Sequence, residues 1–239
     1  LMAELLDFSG IDIILVGDSA GMVVAGDPTT LSIGMDEMLY HCKIVARAVK
    51  RALVIADMPF LSYQISPEKA VENAGRFLKE TGVQGVKIEG GAHIVPVIER
   101  LVDVGIPVMG HLGLTPQSIR KFGTYKLQGK DPVIADKLKK DAVLLQEAGV
   151  FSMVLEKIPS NLAAEITNSL DIPTIGIGAG VECDGQILVT HDMLGMFEKF
   201  KPKFVRRYAE MARDMKNAFN SYKNDVKNNQ FPSAEESFK

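Results

Sequence analysis

Seven side chains suited to acid–base or metal chemistry share one local setting: each closes, or falls just after, a short apolar run. Asp18 and Ser19 end "IILVGDS", Asp57 ends "LVIAD", and Lys87 and Glu89 lie in "VKIEGG". His111 lies in "VMGHLG" and Glu156 ends "SMVLE". A carboxylate at the edge of an apolar segment must be paired, hydrated or bound to a metal. Four carboxylates brought to one place repel unless protons or a cation intervene. Asp and Glu oxygens without a Cys/His cluster suit a hard cation, Mg²⁺ ahead of Zn²⁺. A single strand-end Asp commonly caps the next helix instead. Capping accounts poorly for the whole set, although it stays open for any one member.

Lys87 and Glu89 are two apart, so on a strand they share a face, with Ile88 turned the other way. They could form a self-neutralising internal ion pair. They could equally offer an ammonium to a substrate carboxylate and a carboxylate to a metal. His111 stands among glycines, where local bulk has been removed, and is expected to line a pocket. His41 and His93 fall in helical stretches and are expected to be structural. The glycines of "GIGAG" (176–180) are a weak phosphate signal, and the dinucleotide fingerprint is missing.

The elements that must position these residues alternate. The apolar runs lie at 12–18, 52–60, 85–91, 106–114, 151–159, 172–180 and 185–192. Helical patterns fall between them, at 35–51, 66–82, 92–105 and 133–149. The 66–82 segment has Ser66 as N-cap, Pro67 in the first turn and Gly82 as a stop. Unbroken apolar strands alternating with helices predict parallel strands covered on both faces. Functional residues at the ends of most strands, rather than at one switch point, favour a (β/α)8 TIM barrel over an open doubly wound sheet. An eighth strand is then expected upstream of residue 1, with "LMAELLDFSG" as its helix. One domain over 1–239 is expected, with a long helix at 202–227 and a polar tail at 228–239.

Bulk properties narrow the partners. The chain has 239 residues and a formal net charge of −3, which gives no basic surplus for nucleic acid or an anionic membrane. No apolar run reaches membrane-spanning length. The acidic opening has no leader-like basic region. The only two cysteines, Cys42 and Cys183, are far apart and read as reduced thiols of a cytoplasmic protein.

Taken together and in order, "LVGDSAGM", "ADMPFLSY", "VKIEGG", "GHLGLTPQS", "QGK", "LEKIP", "IPTIGIGAG" and "CDGQILVTHDMLG" resemble the 3-methyl-2-oxobutanoate (ketopantoate) hydroxymethyltransferase family. The resemblance runs from about residue 10 to about residue 208. It implies a (β/α)8 barrel of the phosphoenolpyruvate/pyruvate superfamily whose first strand is missing from the residues given. It implies transfer of a hydroxymethyl group from 5,10-methylenetetrahydrofolate to 3-methyl-2-oxobutanoate, giving 2-dehydropantoate for pantothenate synthesis. It further implies a Mg²⁺ site of Asp18, Asp57 and Glu89, and 2-oxo acid contacts from Asp18, Ser19, Asp57 and Lys87. His111 matches a pocket-lining histidine and Glu156 the proton acceptor. It implies, too, assembly as a homodecamer of two stacked pentameric rings.

The chemistry agrees with those groups. Mg²⁺ chelated by a 2-oxo acid stabilises an enolate, and a carboxylate base can remove the C3 hydrogen. Two other readings remain: a Mg²⁺-dependent 2-oxo acid aldolase or lyase of the same superfamily, and a non-catalytic metabolite-binding barrel.

Overall fold

The computed structural model describes residues 1–198 and 201–238. They form two compact units, Leu1–Ile187 and Leu188–Lys239. In the first, α1 (Met2–Phe8) leads into β1 (Ile13–Val16), α2 (Ala20–Val23) and α3 (Met35–Ala48). There follow β2 (Leu53–Asp57), α4 (Pro67–Thr81), β3 (Gly85–Lys87), α5 (Val95–Asp103) and β4 (Val108–Gly113). The unit ends with α6 (Ile119–Phe122), α7 (Pro132–Glu147), β5 (Ser152–Glu156), α8 (Ser160–Asn168), β6 (Thr174–Ile177) and β7 (Gly185–Gln186).

The helices form where the sequence places caps. In α4 the Ser66 hydroxyl accepts from Lys69 N at 3.2 Å, and Gly82 stops the helix at φ 82°. Its buried residues Ala70, Asn73, Ala74 and Phe77 recur at helical spacing. Asp131 caps α7 by accepting from Val133 N at 2.9 Å. The Asp7 carboxylate ties α1 to the start of β2, accepting from Lys50 N and Ala52 N, both at 2.8 Å.

The seven strands are parallel and lie in chain order, β1 to β7. In a flat sheet β1 and β4 would stand about 14 Å apart. Yet Gln117, just past β4, donates through Nε2 to Asp18 Oδ2, just past β1, at 3.0 Å. The sheet is therefore curled into a lumen, as in a barrel. Alternation along the strands sends Ile14, Val16, Val54, Ala56, Val86, Ile88, Val108, Met153 and Leu155 into the main core with the helices. The opposite parity points inward. Ile55, Met109 and Val154 form a second apolar cluster there, flanked by Ile13, Leu15, Leu53, Ile175 and Ile177.

Two expectations are corrected. The run at 185–192 is a strand only at Gly185–Gln186, and Thr190–Met193 is the short helix α9 of the second unit. Its partner β6 ends at Ile177, after which Gly178 and Gly180 turn the chain at φ 64° and 96°. The helix expected over 202–227 is α10, Met211–Lys227. Before it, Tyr208 N and Met211 N donate to the carbonyls of Met193 and Leu194 at 2.8 and 3.0 Å, bonds that a continuous helix would forfeit. No helix among the described residues is long and apolar enough to cross a membrane. Cys42 and Cys183 are both free and buried, as expected.

Candidate active site

Register builds the site. Asp57 is paired with Lys87 across β2 and β3, so two inward side chains of opposite charge stand abreast. The Lys87 ammonium lies 2.9 Å from Asp57 Oδ1, 3.4 Å from Glu89 Oε1 and 3.3 Å from His111 Nδ1. Asp57 Oδ2 accepts from Asp18 N at 3.2 Å, bringing in the end of β1. From β4, His111 Nδ1 lies 3.2 Å from Glu89 Oε1, and Nε2 lies 3.3 Å from Glu156 Oε2. Thus Asp18, Asp57, Lys87, Glu89, His111 and Glu156, all singled out by sequence, meet in one cluster. Ser19 opens α2 beside it, half-buried, and its hydroxyl makes no capping bond. His41 and His93 stand outside the cluster.

Two glycines make the close approaches possible. A Cβ on Gly113, at φ 96°, would lie 2.2 Å from the Glu156 carbonyl oxygen. A Cβ on Gly91 would meet the Asp141 carboxylate at 2.0 Å. Asp141, on α7, accepts from Ala92 N at 3.2 Å and so fixes the turn that follows Glu89.

Burial makes the cluster's electrostatics strong. Asp18, Asp57, Lys87, Glu89 and His111 are each 5% exposed or less. The Glu156 side chain, at 16%, is more open than its neighbours. Burial and the neighbouring Asp57 and Glu89 charges push Asp18 well above the usual carboxylate range. Burial raises Asp57 as well, against the pull of Lys87. Burial also works against the Lys87 ammonium, but Asp57, Glu89 and Asp18 outweigh it and hold its pKa above the ordinary lysine value. Glu89 is held low despite its burial, by Lys87 and His111. Burial and Lys87 press the His111 pKa down, yet Glu89 and Glu156 carry it to about 9.

With all groups ionised, the carboxylates of Asp18, Asp57, Glu89 and Glu156 face only two cations, Lys87 and His111. Four negative charges against two positive leave an excess equal to the charge of one divalent cation. Asp57 Oδ1 marks where that excess is felt. It is close to the Lys87 ammonium but out of line with it, and has no aligned hydrogen bond. Among the described residues no three acidic, His or Cys side chains are grouped so that they could together hold a metal ion. Mg²⁺ does not need such a group; it is commonly held by one or two carboxylates, the rest of its shell being water and substrate. The residues present fit a hard divalent cation on these grounds.

Sequence reasoning missed Gln117 and Tyr63. Gln117 Nε2 donates to Asp18 Oδ2 and to the Met58 carbonyl at 2.8 Å, and Gln117 N donates to Glu89 Oε2 at 3.1 Å. Its Oε1 accepts from Tyr63 OH at 2.9 Å and from Gln64 Nε2 at 3.0 Å. Tyr63 OH in turn accepts from Glu89 N at 3.0 Å. This uncharged net joins the ends of four strands. Both residues sit in recognisable motifs, "LTPQS" and "FLSY", but nothing in their type or spacing foretold burial.

A profile of ketopantoate hydroxymethyltransferase matches residues 1–234. The chain belongs to the ketopantoate hydroxymethyltransferase family. Members are transferase enzymes, and this chain is an enzyme of that kind. A 3-methyl-2-oxobutanoate hydroxymethyltransferase of Chlorobaculum parvum is 56% identical over 241 residues, covering 99% of this chain and 87% of that protein. One from Syntrophobacter fumaroxidans is 56% identical over 232 residues, covering 97% of this chain and 82% of that one. Among solved structures, phosphonopyruvate hydrolase in complex with oxalate and Mg²⁺ superposes with a TM-score of 0.61 at 11% identity. The match covers 98% of this chain and 84% of that one. At that identity the likeness speaks for the fold alone, an α/β barrel.

Proposed function

We propose that the family member transfers a hydroxymethyl group from 5,10-methylenetetrahydrofolate to 3-methyl-2-oxobutanoate. The products are 2-dehydropantoate, a precursor of pantothenate and coenzyme A, and tetrahydrofolate. The names of its relatives support the reaction. The observation that carries it is a cluster in which four carboxylates, the more exposed Glu156 among them, face only two cations, Lys87 and His111.

In this reading Asp18, Asp57 and Glu89 would hold Mg²⁺, one or two of them directly and the rest through its water shell, and Asp57 Oδ1 is the donor left most in need of it. When bound, the cation supplies Lewis-acid polarisation of the substrate's keto oxygen. Lys87, Ser19, Asp18 and Asp57 hold the 2-oxo acid, with the Lys87 ammonium facing its carboxylate. Glu156 takes the proton from C3, as the cluster member nearest solvent. His111 faces Glu156 with Nε2 as a cation 3.3 Å away, without an aligned hydrogen bond, while Glu89 meets the ring at Nδ1. Carbon C3 then forms a bond to the folate methylene carbon, both bonds from that carbon to nitrogen break, one water supplies the hydroxyl oxygen, and the proton taken from C3 and one from the water pass to the two nitrogens of tetrahydrofolate. We further read the enzyme as a cytoplasmic homodecamer, on the family resemblance and the reduced cysteines.

Proton NMR of 3-methyl-2-oxobutanoate in D₂O with Mg²⁺ tests the reading, with and without tetrahydrofolate plus formaldehyde. The expected result is loss of the C3 signal, and 2-dehydropantoate only when folate is present. Exchange with no folate-dependent product would point to an aldolase or lyase, and no exchange to a binding barrel.

A further inference from the structure

One segment at the mouth of the site has no part in the chemistry above. Residues 119–130 read "IRKFGTYKLQGK", with Arg120, Lys121, Lys126 and Lys130 and no acidic residue, in a chain whose net charge is −3. All four cations are exposed, and among the described residues none lies in an ion pair. Like charges so close together repel, and a chain rich in acids had partners to offer them. Their isolation is a cost that an anionic ligand would offset.

The segment is fastened beside the proton acceptor. Gln128 N donates to the Lys157 carbonyl at 2.9 Å, and the Lys157 ammonium donates to the Tyr125 carbonyl. Lys157 directly follows Glu156 and holds a left-handed φ of 50°, uncommon for a non-glycine residue. That turn sends its side chain back onto the basic loop. Burial, Glu156 and Asp18 raise the Tyr125 phenol pKa, which agrees with a place near the catalytic carboxylates. The loop therefore stands over the more open edge of the site, where a second substrate must enter.

We propose that the 120–130 loop docks the carboxylate tail of the folate co-substrate. This rests on the function proposed above. The folate's reactive methylene must lie against C3 of the 2-oxo acid, hence beside Glu156. Its aminobenzoyl-glutamate tail then leaves through the mouth carrying two carboxylates, and each further glutamate adds one. Lys87, buried beneath, serves the carboxylate of the 2-oxo acid. The two substrates thus have separate cationic receptors, one buried and fixed, one exposed and multivalent.

The test is steady-state kinetics of a variant with Lys121, Lys126 and Lys130 all changed to Gln, beside one with all three changed to Arg. Both are assayed with 5,10-methylenetetrahydrofolate as monoglutamate and as triglutamate, at low and high salt. Exposed charges act weakly one by one and are screened by salt. The Gln variant is expected to raise the folate KM about fivefold for the monoglutamate and more for the triglutamate. The KM for the 2-oxo acid should stay within about twofold, and the Arg variant should keep the parent's values. High salt should shrink the difference between parent and Gln variant. An unchanged folate KM, an equal rise in the 2-oxo acid KM, or a triglutamate preference surviving in the Gln variant would each overturn the proposal. If the parent makes no product with either folate, the proposed function itself fails, and this inference with it.

Discussion

The two ends of the lumen are built by the same strands and the same inward parity, yet they hold opposite chemistry. At the lower end Ile55, Met109 and Val154 pack with Leu15, Leu53 and Ile175. Two residues further along the same faces come Asp57 after Ile55, His111 after Met109 and Glu156 after Val154. The lower layer contributes stability by removing apolar surface from water. The upper layer gathers like charges that burial alone would expel. A strand in this fold thus reads as a stabilising half and a reactive half, and the boundary falls within one dipeptide step.

The largest break in that contrast should come from Lys87→Met. It leaves Asp57 and Glu89 buried without their shared cation, which costs about 3–5 kcal/mol where charges are left unpaired. Turnover should fall at least about a thousandfold, since the proposed contact to the 2-oxo acid and one of the cluster's two cations are lost together. Thermal melting alongside the NMR assay would show both losses; a stable, active variant would dissolve the upper layer as a functional unit. Gln117→Leu comes next. It keeps the volume but strips Asp18, Tyr63 and the Met58 carbonyl of partners, and kcat should drop about tenfold to a hundredfold through misplacement of the carboxylates. Unchanged kcat would make the amide net a matter of packing alone.

Below the boundary the sign reverses. Met109→Ala should cost about 2 kcal/mol or more of stability while leaving kcat within a few-fold at permissive temperature. A selective loss of turnover there would erase the distinction between the two layers. The smallest effect sharpens it through pH. His111 has a folded pKa of about 9 against 6.5 for the free side chain. Its contribution is fully present below pH 6.5 and is lost as pH rises toward 9. Asp18 and Asp57, also raised, act in the same direction. In EDTA the Tm should therefore decline between pH 6.5 and 9, and less so in His111→Asn; identical slopes would contradict the assigned ion pairs.

Much of this was legible in the chain itself. Period-2 parity placed Lys87 and Glu89 on one face with Ile88 on the other, and register then set Asp57 abreast of Lys87. Ser66, Pro67 and Gly82 marked the ends of α4 because caps act locally. The two readings of Lys87 and Glu89 prove compatible: the residues are an internal ion pair and part of the candidate site at once. What stayed hidden depends on distant partners. Gln117 becomes a hub only because curling brings the ends of β1 and β4 together. The non-helical start of 202–227 answers to the carbonyls of Met193 and Leu194, which no local pattern announces.

In the function proposed here, the upper lumen takes a proton from C3 of a 2-oxo acid through Glu156. The most direct measurement is the rate of deuterium exchange at C3 of 3-methyl-2-oxobutanoate in D₂O with Mg²⁺, for the parent and for Glu156→Gln, with 2-oxo acid affinity measured in parallel. Rapid exchange by the parent is expected, with at least about a hundredfold slower exchange by the variant and affinities within a few-fold of one another. Equal exchange rates in the two proteins would contradict that role of Glu156.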